Sequence, residues 1–335
     1  MRMFDNVRWL DVGIKGAAVL VVVAVGYLAY SVVITQSAER RGAPASRAVD
    51  NLIAAIEESP DDAGLRIALA EAYAAAGQPR EAIDQFNAAL ELEANHPDAL
   101  TGLGLIAMFQ GEWETAEGYW RTLVDELEGG QFSRLDQRLG TGYHQLGMTL
   151  LEQKRYEEAA QSLHEALRIN RSAADTHYAL SVAYREIGSE RNQRTYLESA
   201  LMFDPVMPEA NYDYGLLLLA EGYVAAAAER FRTSADGAPP GVREPFQELE
   251  KLGQHADRLE AARALVSSDP VAALTEARIA RALEPTDLES ARLVATLYES
   301  TGDLDAAMDA WQRVLDLAPD DAEAASAVER LSDTK

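Results

Sequence analysis

A recurrence of 34 residues constrains this chain more than any other feature of its sequence. Gly147 of YHQLGMTLL and Gly215 of NYDYGLLLL lie two periods apart, with Ser181 midway between them. Lys154, Gly188 and Gly222 hold turn positions at the same spacing. A second apolar stripe follows each turn: Ala159, Leu163 and Ala166, then Leu197 and Ala200, then Ala227 and Phe231. Apolar residues at helical spacing on both sides of a turn predict a helix pair. A pair that recurs at a fixed interval predicts stacking, because no pair can bury its apolar face alone.

The register assigns repeats to residues 63–96, 97–130, 140–173, 174–207, 208–241 and 288–321, with a degenerate copy at 254–287. Residues 47–59 fit a lone second helix, and 322–333 fit a capping helix with a more polar outer face. Two stretches break the period. Residues 131–139 are expected to lengthen the first helix of the repeat that follows, and 242–253, after Pro239-Pro240-Gly241, to bend the array. Small residues at Ala70, Gly104, Gly147, Ser181, Gly215 and Ala295 allow close helix approach. Large ones at Phe86, Trp120, Leu163, Leu197, Phe231 and Trp311 are expected to fill the space between neighbouring pairs. Pro205, Pro239 and Pro319 stop the second helices. The acidic pairs Asp61-Asp62 and Asp320-Asp321 read as helix-start caps.

This pattern resembles the tetratricopeptide repeat family, and in particular bacterial membrane-anchored members of it. The resemblance covers about 290 residues. It implies an all-α, right-handed superhelical solenoid of antiparallel helix pairs over 47–335, whose first helices line a concave groove for a peptide or partner helix. Carried over by offset, the groove residues are Leu105, Met108, Phe109, His144, Met148, Leu151, Tyr178, Arg185, Tyr212 and Leu216. Their apolar character suits an amphipathic or apolar segment of a protein partner. The same side chains fit packing between neighbouring first helices. The offsets that carry a carboxylate clamp in chaperone-binding relatives hold Ile67, Glu71, Gly102 and Thr141, so that clamp is missing.

Composition narrows the function classes. The chain has 55 acidic and 30 basic residues, a net charge of −25, which repels phosphate backbones and argues against nucleic-acid binding. Cysteine is absent, so thiol catalysis, disulfides and zinc–thiolate sites are excluded. The five histidines (His96, His144, His164, His177 and His255) form no metal-ligand motif, and the glycines form no phosphate-cradling run. No catalytic constellation, metal site or cofactor site is expected.

The N-terminus has a different character. Residues 16–34, GAAVLVVVAVGYLAYSVVI, carry no charge. As a helix this run spans about 28 Å, close to the thickness of a bilayer core. Residues 1–13 are read as a short tail, 14–34 as an uncleaved transmembrane anchor in the lipid bilayer, and 35–46 as a linker. A cleaved signal peptide and a buried soluble helix are the competing readings; the run is long for the first and lacks the polar stripe of the second. Basic residues flank both sides, Arg2, Arg8 and Lys15 against Arg40, Arg41 and Arg47, so orientation rests on the short tail. That tail favours a single-pass cell-membrane protein with extracytoplasmic repeats and leaves the cytoplasmic face open. Gly13, Ala17, Ala24 and Ser31 fall at helix-pairing spacing, the one hint of a homo-oligomer. The expected function is a membrane-anchored protein–protein interaction scaffold or assembly factor, not an enzyme. The alternative is a non-catalytic regulatory subunit of an enzyme or sensory complex in another chain.

Overall fold

The computed structural model describes residues 44–129 and 136–332. The tail at 1–13, the anchor at 14–34 and almost all of the linker at 35–46 lie outside the described residues, as does most of the 131–139 interruption. Among the described residues there are 17 helices and no strand, which is the all-α class expected. No described helix is long and apolar enough to cross a membrane.

The chain divides into two compact units, residues 1–171 and 172–335. The first holds α1 (Pro44–Glu58), α2 (Ala63–Ala75), α3 (Pro79–Leu92), α4 (Pro97–Gln110), α5 (Trp113–Glu128), α6 (Gln137–Glu152) and α7 (Tyr156–Ile169). The second holds α8 (Ala174–Ile187), α9 (Glu190–Phe203), α10 (Pro208–Ala220), α11 (Val224–Gly237), α12 (Glu244–Lys251), α13 (His255–Leu265), α14 (Pro270–Leu283), α15 (Leu288–Thr301), α16 (Leu304–Leu317) and α17 (Ala322–Ser332).

Local chemistry sets the helix ends. The Asp62 carboxylate accepts from the Leu65 backbone N–H at 3.1 Å, and Asp321 accepts from that of Ala324 at 3.0 Å. Both carboxylates therefore satisfy backbone donors that the first helical turn leaves open. Proline occupies the first turn of α3, α4, α10 and α14, where its missing N–H costs no hydrogen bond. Gly111, Gly188 and Gly302 end their helices with φ of 75°, 82° and 86°. The turn after α6 asks the same of Lys154, which sits at φ 62° without a glycine's freedom.

Packing follows the small-to-large pairing. A Cβ added to Gly104 on α4 would meet the Trp120 ring of α5 at 2.6 Å. The same holds between Gly147 and Leu163 and between Gly215 and Phe231, each at 2.6 Å. The large residue thus presses into the small one of its own pair. Phe86 of α3 also reaches across, where its ring would meet a Cβ added at Gly102 of the next pair. Large second-helix residues therefore pack both within their own pair and against the next one. Trp120, Leu163 and Phe231 have no exposed surface. Truncating such a residue to alanine costs about 3–5 kcal/mol.

In the N-terminal unit each helix packs on its neighbour in sequence from α1 to α7. The C-terminal unit departs from this rule after α11. There α11 packs on α12 and also directly on α14. Arg278 and Arg281 of α14 donate to the Glu229 carboxylate of α11, the latter at 2.7 Å. Arg232 donates to the carbonyls of Ala282 and Leu283 at 2.6 and 2.9 Å. The interruption at 242–253 therefore contains its own short helix, and a charged cluster ties the chain across it.

Candidate protein-binding site

The first helices present their sequence-predicted residues in two different ways. In the N-terminal unit, α4 buries Ala99, Leu100, Leu103, Gly104 and Ala107. At 100° per residue, the stripe opposite that face carries Asp98, Leu105 and Phe109. Leu105 is 47% exposed and Phe109 48% exposed. Met108, beside them, packs into the cluster around Trp120, Leu123, Leu146 and Leu150. Leu151 of α6 packs against the same cluster, while His144 and Met148 are half-buried on that helix. Leu105 and Phe109 thus stand on a partly buried apolar floor.

In the C-terminal unit other sequence-predicted positions, at different offsets in the repeat, engage each other. The Tyr178 hydroxyl of α8 donates to Asp213 Oδ2 of α10 at 3.2 Å. The Arg185 guanidinium donates to the same oxygen at 2.7 Å. The Tyr178 ring packs against the cluster formed by Leu197, Ala200, Leu201, Met207 and Ala210. Burial, and then the Asp213 charge, push the Tyr178 phenol well above its ordinary range. Tyr212 lies with its ring centroid 5.9 Å from that of Phe231, and burial followed by the nearby Glu248 charge raises its phenol as well. Leu216 is 37% exposed. Leu105, Phe109 and Leu216 are therefore the proposed contact residues that offer open apolar surface.

The repeat pattern alone does not single out Asp213, although this residue organises the face. Its signal is a carboxylate at a position that Ala68, Gly102, Gln145 and Ala179 hold in other repeats. A charged residue at 9% exposure requires partners, and Arg185 and Tyr178 supply them. Among the described residues no group of three or more His, Asp or Glu side chains is placed to hold a metal ion.

Comparison with known proteins finds tetratricopeptide repeats in three stretches of the chain. Tetratricopeptide repeat models match residues 45–99 and 293–321, and a TPR repeat model matches 147–188. No curated protein matches the sequence. Among solved structures, the chain is similar to YrrB, a TPR protein with an unusual peptide-binding site, at 18% identity, over 61% of this chain and 100% of that one, with a TM-score of 0.48. It is also similar to Pseudomonas aeruginosa pilF at 19% identity, over 82% and 97% of the two chains, with a TM-score of 0.46. Yeast Tom70 matches at 15% identity, over 86% of this chain and 58% of that one, with a TM-score of 0.43. The chain carries tetratricopeptide repeats at residues 45–99, 147–188 and 293–321, and its described residues fold into helices throughout.

Proposed function

We propose that this chain is a membrane-anchored scaffold or assembly factor that holds a peptide or helix of a partner protein on the faces of its first helices. A tetratricopeptide solenoid is a protein–protein interaction scaffold, and such repeats are typically non-catalytic. The observation that carries the finer reading is the surface of α4. Leu105 and Phe109, at 47% and 48% exposure, sit one turn apart on a helix whose opposite face is buried. Adjacent large apolar side chains left in water are a common mark of a protein contact. The uncharged run at 16–34 would keep the repeats beside the membrane and raise the local concentration of membrane-bound partners.

The test is the double substitution Leu105→Ala, Phe109→Ala in the full chain. It should leave circular dichroism unchanged and abolish crosslinking of the partner in native membranes. Unchanged crosslinking would remove α4 from the contact. The anchor has its own test, because the chain contains no native cysteine. Asn6→Cys should label from the cytoplasm and Ser37→Cys from the opposite side. Release of the protein by alkaline carbonate would contradict the anchor, and reversed labelling would contradict the orientation.

A further inference from the structure

We propose that the occupant of the α4 face is a cationic amphipathic helix of a partner protein, which rests on the reading of α4 as a contact surface. Leu105 and Phe109 are four residues apart, so they form adjacent knobs along the helix axis. Met108 and Leu151 supply the floor beside them. A helix laid on this strip would bring apolar residues at spacings of three and four.

The charge around the strip selects the sign of the partner. Glu71 of α2 holds the repeat position that Leu105 holds on α4, and it is exposed. Asp98 shares the exposed stripe of α4, and Glu112 is exposed just beyond its C-terminal end. Glu71 and Glu112 make no ion pair among the described residues. The cation Arg138 is held by Asp136, with its Nε 3.2 Å from Oδ1 and a terminal nitrogen 2.9 Å from Oδ2, and also feels the Asp98 charge, so Glu71 and Glu112 carry the negative margin. The strip is therefore apolar in the middle and acidic at its margins. A second copy of this chain would bring a net charge of −25 and be repelled. A lysine- or arginine-flanked helix gains both the apolar contact and the steering.

The test uses two fluorescein-labelled 14-residue helical peptides, one of leucine and lysine and one of leucine and glutamate. Each carries a photoreactive group, and each is titrated against the full chain in neutral detergent. The lysine peptide should bind and crosslink to α2, α4 and α6, while the glutamate peptide should bind at least about 10-fold more weakly. Leu105→Ala, Phe109→Ala should weaken the lysine peptide by about 10-fold or more. Glu71→Gln, Glu112→Gln should weaken it by about 3-fold and flatten its salt dependence. Equal or tighter binding of the glutamate peptide, still lost in the Leu105/Phe109 variant, would overturn the cationic partner and leave the contact surface standing. Crosslinks confined elsewhere, with no effect of the Leu105/Phe109 variant, would overturn both. Crosslinking of α4 to residues 1–15 of the same chain, with exclusion of the lysine peptide, would make the chain's own N-terminus the occupant and overturn the partner.

Discussion

The first helices α4, α8 and α10 occupy equivalent places in the repeat, and the residues they present at different offsets do different things: Leu105 on α4 and its equivalent Leu216 on α10 are both exposed. On α4, Leu105 and Phe109 keep nearly half their surface in water. On α8, Tyr178 and Arg185 are both committed to Asp213. The first face carries exposed apolar area. The second carries polar groups whose hydrogen bonds already join α8 to α10. One repeat pattern therefore supports two kinds of surface, an exposed apolar one and one closed by hydrogen bonds between neighbouring pairs.

Substitutions can break this contrast at points of decreasing weight. Asp213→Ala should have the largest effect, because it removes the acceptor of the Tyr178 hydroxyl and the closer carboxylate of Arg185, whose ion pair with Glu186 remains. The expected loss is about 3 kcal/mol. Hydrogen exchange should accelerate across 174–220 and stay unchanged across 97–128. Tyr178→Phe removes only the hydroxyl and should cost about 1 kcal/mol in urea unfolding. Lys154→Gly should stabilise the N-terminal unit by about 1 kcal/mol, since it relieves a left-handed backbone at a lysine. The Leu105→Ala, Phe109→Ala pair should lower stability by about 1 kcal/mol, because each side chain buries only about half of its surface and alanine favours the helix.

The tyrosines predict a pH dependence of the C-terminal unit. Tyr178, Tyr196, Tyr212, Tyr214 and Tyr298 are all raised above their ordinary value of 10.0, with burial the largest cause. A phenol whose folded value is raised adds stability that is fully present below the unfolded value and is lost as pH rises through the folded value. The C-terminal unit should therefore weaken above pH about 10. Tyr178→Phe with Tyr212→Phe should flatten that loss when unfolding is followed at pH 9, 10 and 11. Asp321 works in the opposite direction. Hydrogen bonds from the Ala324 backbone and Arg292 hold its carboxyl below the usual range. Its contribution is present above the unfolded carboxylate range and lost as pH falls through the folded value. Asp321→Asn should lower the stability of α17 at neutral pH and reduce its sensitivity to acid.

Much of the fold was legible because it rests on local rules. The glycine at position 104 needs a large neighbour, and Trp120 follows at the distance that one turn and one helix allow. The caps at Asp62 and Asp321 follow from a carboxylate placed before a helix. The contact between α11 and α14 was not legible. It depends on Glu229, Arg232, Arg278 and Arg281, which are far apart in sequence and each ordinary for an exposed helix. The candidate site divides the same way. The exposure of Leu105 and Phe109 follows from the helical period. The engagement of Tyr178 and Arg185 by Asp213 depends on a pairing between helices, which no single-helix period encodes.

The contrast between the two faces is tested most directly by a photoreactive phenylalanine placed at 109 in one full-length variant and at 178 in another, both expressed in native membranes. Position 109 should crosslink to a second protein, and that crosslink should disappear on Leu105→Ala. Position 178 should yield crosslinks within the chain alone. A partner captured from 178 and none from 109 would contradict the assignment of the contact to α4.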